Sequence, residues 1–241
     1  MIRAIERALR VLDSFDTANS QQSLQRIAAR TGLSKATAFR LVNTLVKGGY
    51  LMRDARQLYS LTFEVLRLSS LVELDVNIQT VLRPLMADLV RQVTENVALY
   101  TASGNNRVCI DAIMPSAPLM RVIMVGEQVP LPQGAIGRTL MSLMTDGEID
   151  DILTETPVRV GKLVLRRRID LIRHRGYDMA RGERVPGATA VVAPIHHRLK
   201  NGACYCMAIV GPSERLDERL EELTLALCKT CKRASRELGA S

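Results

Sequence analysis

The stretch that most constrains this chain is Ser23 to Asn43, SLQRIAARTGLSKATAFRLVN. Leu24, Ile27 and Ala28 recur at spacings of three and four, which marks one face of a short helix. Gly32 can adopt a left-handed turn without a side-chain penalty. Leu33 follows as an apolar plug, and Ser34 is a good N-cap for a second helix that turns Ala38, Leu41 and Val42 inward. Ala28 is small enough to let two steeply crossing helices approach. A small residue, a glycine and a cap in this order separate a helix-turn-helix from an ordinary helical hairpin with a basic face. The second helix then leaves Ser34, Lys35, Thr37, Arg40 and Asn43 exposed, with Lys47 at its far end. These residue types reach phosphates and base edges in the major groove of duplex DNA.

The charge distribution agrees with that target. The net charge is +8 over 241 residues, and residues 1–61 hold ten Lys and Arg against four Asp and Glu, so +6 lies there and +2 on the other 180 residues. A polyanion partner for the N-terminal segment follows. Trp is absent and aromatics make up 3% of the chain, which argues against a stacking platform for single strands. With 47% hydrophobic residues the chain can bury a large core, but no run is long enough to span a bilayer. No signal-peptide pattern stands at Met1, and five cysteines in a chain this size read as reduced cytoplasmic thiols.

Taken in order, Ile2 to Phe15 is a predicted helix with Ile5, Ala8, Leu9 and Leu12 packed against the helix-turn-helix. Thr17 to Gln22 is a polar loop. YLMRDARQLYSL after Gly48 and Gly49 reads as strand, turn and strand, a wing with Arg53 and Arg56 near its tip. Phe63 to Leu74 is an apolar linker helix, and Val76 to Val93 is a second helix that Pro84 bends or restarts. Beyond it, Asn96–Ser103 and Asn106–Met114 form a hairpin, and Leu119 to Val125 is a strand. Helices run over Gly134–Met144, Asp146–Thr154 and Val164–Arg175. Strands at Thr189–His197 and Cys204–Pro212 turn at Asn201 and Gly202, and a long helix closes the chain over Leu216–Leu238. This alternation without a strict βαβ rhythm predicts an α+β fold with a mostly antiparallel sheet. The domains expected are a winged helix-turn-helix at 1–62, a linker helix at 63–76 and an effector-binding domain at 77–241.

The chain resembles the IclR family of bacterial transcriptional regulators over nearly its whole length. The resemblance rests on ERALRVLDSF, TGLSKATAFRLVNTLVKGGYL and the wing ending in YSLT. In the second half it rests on VGEQVPLPQGAIGRTLMS, RHRGYDMARGERVPGATAVVAPI and MAIVGP. It implies an N-terminal winged helix, a linker helix and a C-terminal GAF-like domain. It also implies a homodimer or homotetramer that binds operator DNA, commonly as a repressor, under a small-molecule effector and without a cofactor. Relatives that bind small oxo-acids use two backbone amides, an Asp, a Cys and two Ser. The matching positions here are the amides of Ala135 and Ile136, then Ala180, Ala190, Ala208 and Val210. Each polar anchor is replaced by a small apolar side chain, which enlarges the expected cavity and favours an effector with an apolar body, such as an aromatic acid. Arg121 and Arg138 are candidates to pair its acid group.

Two other constellations compete. Cys204 and Cys206 share a strand face, and Cys228 and Cys231 share a helix face; four thiolates could hold zinc, although these lie in apolar periodic runs rather than in turns. Some GAF-like domains carry redox chemistry on cysteine, with Cys109 or Cys204 as the nucleophile, yet no base motif stands beside either. His196 and His197 likewise lack a partner motif. Arg166 to Arg168, Arg173 and Arg175 read as the solvated face of a helix.

Overall fold

The computed structural model describes residues 2–16, 19–70, 78–115, 123–158, 161–197 and 203–239. The chain divides into two compact units, Met1–Leu74 and Asp75–Ser241.

In the first unit, α1 (Arg3–Asp13) precedes α2 (Leu24–Thr31) and α3 (Lys35–Lys47). Each signal of the turn has a physical counterpart. The Ser23 hydroxyl accepts the Arg26 N–H at 3.3 Å, Gly32 has φ +67°, and the Leu33 N–H bonds the Ala28 carbonyl at 3.1 Å. The Ser34 hydroxyl accepts the Thr37 N–H, also at 3.3 Å. Val11, Ile27, Val42, Leu51 and Tyr59 form the core, flanked by Leu12, Phe15, Leu24 and Leu33. The inner face of α1 differs from expectation. It is buried through Val11, with Ala8 and Leu12 partly covered, while Ile5 and Leu9 are 56% and 54% exposed. Only the C-terminal half of α1 is covered.

The wing is β1 (Leu51–Arg53) paired antiparallel with β2 (Tyr59–Leu61). Asp54 holds its turn by accepting the N–H groups of Arg56 and Leu58, each at 2.9 Å. Gln22 is buried rather than a free loop residue. It exchanges backbone bonds with Tyr59, and its side chain donates to the Ser14 carbonyl, which ties the wing to α1. α4 (Phe63–Ser70) follows; the remainder of the predicted linker, from Leu71, lies outside the described residues.

The second unit opens with α5 (Ile78–Val93), which buries Ile78, Leu82, Leu85, Met86, Leu89 and Val93. Pro84 does not restart it. Pro84 and Thr80 are both exposed, so water can bond the carbonyl that loses its N–H partner. Then come β3 (Asn96–Ser103), β4 (Asn106–Ile113), β5 (Gln128–Pro130), α6 (Gly134–Met141), α7 (Asp146–Glu155) and α8 (Lys162–Arg175). β6 (Asp178–Arg181), β7 (Ala188–Ile195), β8 (Tyr205–Pro212), α9 (Ser213–Leu216), a single 3-10 turn at Asp217–Arg219 and α10 (Leu220–Glu237) complete it. The closing helix is thus broken in three. β6 was not expected, and the described end of the predicted strand at Leu119–Val125 is irregular; the strand there is β5. The turn expected at Asn201 and Gly202 lies outside the described residues.

The six strands are all antiparallel, in the order β5-β4-β3-β8-β7-β6. Alternation sorts the faces. Ala98, Tyr100, Cys109, Val192, Cys206 and Ala208 pack with residues of α6, α7 and α8. Val97, Leu99, Val191, Ala193, Met207 and Ile209 turn the other way, towards α5 and α10. The basic side of α8 is not simply solvated. Arg166 pairs with Asp150, Arg173 with Asp146 and Asp170, Arg168 with Glu183 and Arg175 with Asp178.

Candidate functional site

Two surfaces concentrate functional chemistry. On α3, Lys35, Arg40 and Lys47 are exposed, and no carboxylate among the described residues lies within ion-pair reach of them. Thr37 and Asn43 are half-buried, and the hydroxyls of Ser34 and Thr37 bond each other at 2.9 Å. Phe39, which was not foreseen, is 45% exposed beside Arg40. It breaks the inward period of Ala38, Leu41 and Val42, and that is the signal that could have found it. An exposed ring on such a helix suits contact with a thymine methyl. In the wing, the Arg53 guanidinium lies 5.3 Å from the Tyr59 ring centre. Arg56 bonds Asp54 and the Gln21 side chain, so its donors are partly engaged.

The second surface is a cavity of about 60 Å³ in the C-terminal unit. Ala180, Ala190 and Val210 lie side by side across β6, β7 and β8, and all three line it. Ala135 and Ile136 line it from the first turn of α6, which begins without a side-chain cap and so leaves N–H groups without intrahelical acceptors. Gly134 opens that helix at φ +80°. A Cβ on Gly137 would stand 1.8 Å from the Leu131 carbonyl oxygen, so only glycine lets α6 lie this close to the loop after β5.

Two expected positions fall elsewhere. Ala208 is buried in the core beneath and does not line the cavity. Arg138 is 2% exposed, with Nε 2.7 Å from Asp178 and Nη1 2.7 Å from Glu183. Burial alone would lower its pKa, but those carboxylates outweigh it and hold the guanidinium above its ordinary range. Its donors are satisfied internally, so it is not free to pair an acid group. Arg121 lies outside the described residues. Tyr100 and Arg107 also line the cavity.

Arg107 is the residue that sequence reasoning missed. It is 4% exposed, its carbon Cζ lies 5.5 Å from the Tyr100 ring centre, and its Nε has no hydrogen-bond partner. Burial pushes its pKa down and that of the Tyr100 hydroxyl up. A charged residue in phase with buried Cys109 on a strand was the available clue. The loop between β6 and β7 closes the cavity. Glu183 bonds Arg138, and Arg184 bonds Glu127 at 2.8 Å.

The thiols are poor nucleophiles. Burial drives Cys109 up to about 12 and Cys204 up to about 11, and raises Cys206, Cys228 and Cys231 as well. No cluster of three or more His, Cys, Asp and Glu suited to a metal occurs among the described residues. No described helix is long and apolar enough to cross a membrane.

Both units match known domains. The IclR helix-turn-helix domain matches residues 4–55, and the bacterial transcriptional regulator IclR C-terminal domain matches residues 71–236. The HTH-type transcriptional regulator KipR of Bacillus subtilis is 28% identical, the match covering 90% of each chain. The glycerol operon regulatory protein of Streptomyces coelicolor is 29% identical over 99% of this chain and 97% of its own. An IclR homolog from Microbacterium hydrocarbonoxydans, crystallised in complex with 4-hydroxybenzoate, shares the fold. Its TM-score is 0.79 at 22% identity, covering 99% of this chain and all (100%) of the other.

Proposed function

Since the chain belongs to the IclR family of bacterial transcriptional regulators, we propose that it is a repressor that binds operator duplex DNA and answers to a small, partly apolar organic acid. It is a regulator with a helix-turn-helix DNA-binding domain and an effector-binding domain, and its named relatives are regulators rather than enzymes. The observation that carries the finer reading is the row of exposed, carboxylate-free cations on α3. Lys35 and Lys47 suit phosphates, Arg40 suits a guanine edge, and Arg53 and Arg56 of the wing suit flanking backbone.

One winged helix offers a small interface, and specific sites generally need two copies. Phe63 and Leu66 on α4 are 87% and 64% exposed, and Ile5 and Leu9 leave α1 half bare. These apolar faces support self-association as a homodimer or homotetramer. Replacing Phe63 and Leu66 with Glu should give monomers by sedimentation.

For the effector, the apolar wall of Ala180, Ala190 and Val210 disfavours glyoxylate, whose buried oxygens would go unpaired at roughly 1–3 kcal/mol each. The relative bound to 4-hydroxybenzoate supports an aromatic acid. Genomic fragments captured by the purified protein would supply the operator. Band shifts on that operator with 4-hydroxybenzoate, benzoate and glyoxylate then test the reading. Release by an aromatic acid but not by glyoxylate is expected; release by glyoxylate alone, or no sequence-specific fragment, would overturn it. Ala190→Leu, which fills the cavity, should abolish the ligand-induced rise in melting temperature.

A further inference from the structure

Among the charged side chains that line the cavity, Glu183 is matched by Arg138 and Arg168, and Arg184 is matched by Glu127. Arg107 is not matched. No carboxylate among the described residues lies within ion-pair reach of it, and its buried Nε is unbonded. Residues 116–122, SAPLMRV, contain no Asp or Glu either. The Tyr100 ring beneath the guanidinium offsets part of the lost hydration, but a ring face neither accepts a forked pair of hydrogen bonds nor neutralises a full charge. A nearly buried guanidinium without an anion destabilises the fold that contains it. Such a group is understandable where the missing anion arrives from outside.

The surroundings define that anion. The cavity is also lined by Ile136, Ala180, Ala188, Ala190 and Val210, whose side chains cannot bond oxygen, and by Thr189, whose hydroxyl already bonds Ser213 and Asp217. The open N–H groups at the start of α6 add a second positive element facing the same space. One uncompensated cation matches one negative charge; a phosphate dianion would leave a charge buried without a partner. We propose that Arg107 is the anchor of the effector, which is a monocarboxylate held in a forked ion pair, with its apolar body against Ala180, Ala190 and Val210. This rests on reading the cavity as the effector site.

The test uses the full chain at constant ionic strength. Melting temperatures of the wild type, Arg107→Met and Arg107→Lys are measured with benzoate, phenylacetate and hexanoate, and with their primary amides. The acids should raise the wild-type midpoint and the amides should not. Arg107→Met should bind the acids about 100-fold more weakly, and Arg107→Lys should fall between. Without ligand, Arg107→Met should melt at or above the wild type, since a buried unpaired charge has gone. The anchor is overturned if amides act as well as acids, if no acid stabilises the wild type, or if acids stabilise Arg107→Met equally. It is also overturned if unliganded Arg107→Met melts several degrees lower, since Arg107 would then be a structural residue. Wild-type operator binding with and without acid separates the two readings. Acids that bind through Arg107 but leave the operator complex unchanged refute the regulatory role and keep the anchor. An operator response that survives Arg107→Met refutes the anchor and keeps the regulatory role.

Discussion

On α3 of the N-terminal unit, Lys35, Arg40 and Lys47 face solvent without a carboxylate partner, whereas the C-terminal unit ties down most of its described arginines, Arg107 being an exception. Arg215 bonds Glu95 through two nitrogens at 2.8 Å, Arg166 and Arg173 reach across to α7, and buried Arg138 is clasped by Asp178 and Glu183. An exposed cation is solvated by water and is displaced cheaply towards a polyanion, so it is sensitive to salt. A buried cation must be matched inside the fold or left waiting for a discrete anion. The placement of the arginines therefore separates the two partners more sharply than their number does.

The contrast can be broken in several ways. Arg138→Met leaves Asp178 with Arg175 and Glu183 with the more distant Arg168 as their remaining partners, and should cost the C-terminal unit about 3 kcal/mol. Urea unfolding followed by tryptophan-free probes such as far-UV circular dichroism would read it, and a loss under about 1 kcal/mol would mean that the clasp is replaceable. Arg40→Ala should instead weaken the operator complex by about 1–3 kcal/mol with little change in folding. If Arg40 reads a base, specificity relaxes at one position; if it touches phosphate only, the slope of affinity against salt falls uniformly. Unchanged affinity would put α3 outside the groove. Gly32→Ala forces a side chain into φ +67° and should lower the stability of the N-terminal unit by roughly 1–2 kcal/mol. Arg166→Ala breaks only a surface pair with Asp150 and should cost less than about 1 kcal/mol in the same urea titration.

At neutral pH the thiols have the smallest effect on stability. Burial holds Cys109 at about 12 and Cys204 at about 11 in the folded chain, against 9.0 for an unperturbed thiol. Iodoacetamide at pH 8 should label the native protein far more slowly than the urea-unfolded chain. Above pH 9 the unfolded chain loses thiol protons that the folded one keeps, so stability falls from there towards pH 11–12. Rapid labelling of native Cys109 would reopen thiol chemistry.

How readable each region was depends on how local its signals are. Gly32 and Ser34 act on backbone groups within a few residues, so the turn and the cap of α3 were legible in consecutive letters, while the cap that Ser23 gives α2 went unread. The helix starting at Gly134 was legible as well, but the close approach at Gly137 depends on Leu131 and shows only in the fold. β6 was hidden because its first residue, Asp178, is buried only by virtue of Arg138 and Arg175, and neither pairing shows as hydrophobic alternation. The arginines of α8 looked solvated because most of their carboxylate partners lie on α7, β6 and the loop after β6. Arg107 was hidden for the opposite reason: what distinguishes it is an absent partner, which appears only when all surrounding elements are in place.

The centre of the large sheet is the pairing of Asn96–Thr101 on β3 with Val210–Tyr205 on β8. A ribosome delivers those segments far apart in time. At roughly 5–20 residues per second, β8 emerges on the order of ten seconds after the wing. The helix-turn-helix uses only nearby contacts and can be finished first, while β3 still lacks the neighbour that completes its side of the cavity. During synthesis, and in any product cut short before Tyr205, the chain holds a helix-turn-helix unit whose effector-binding domain is incomplete.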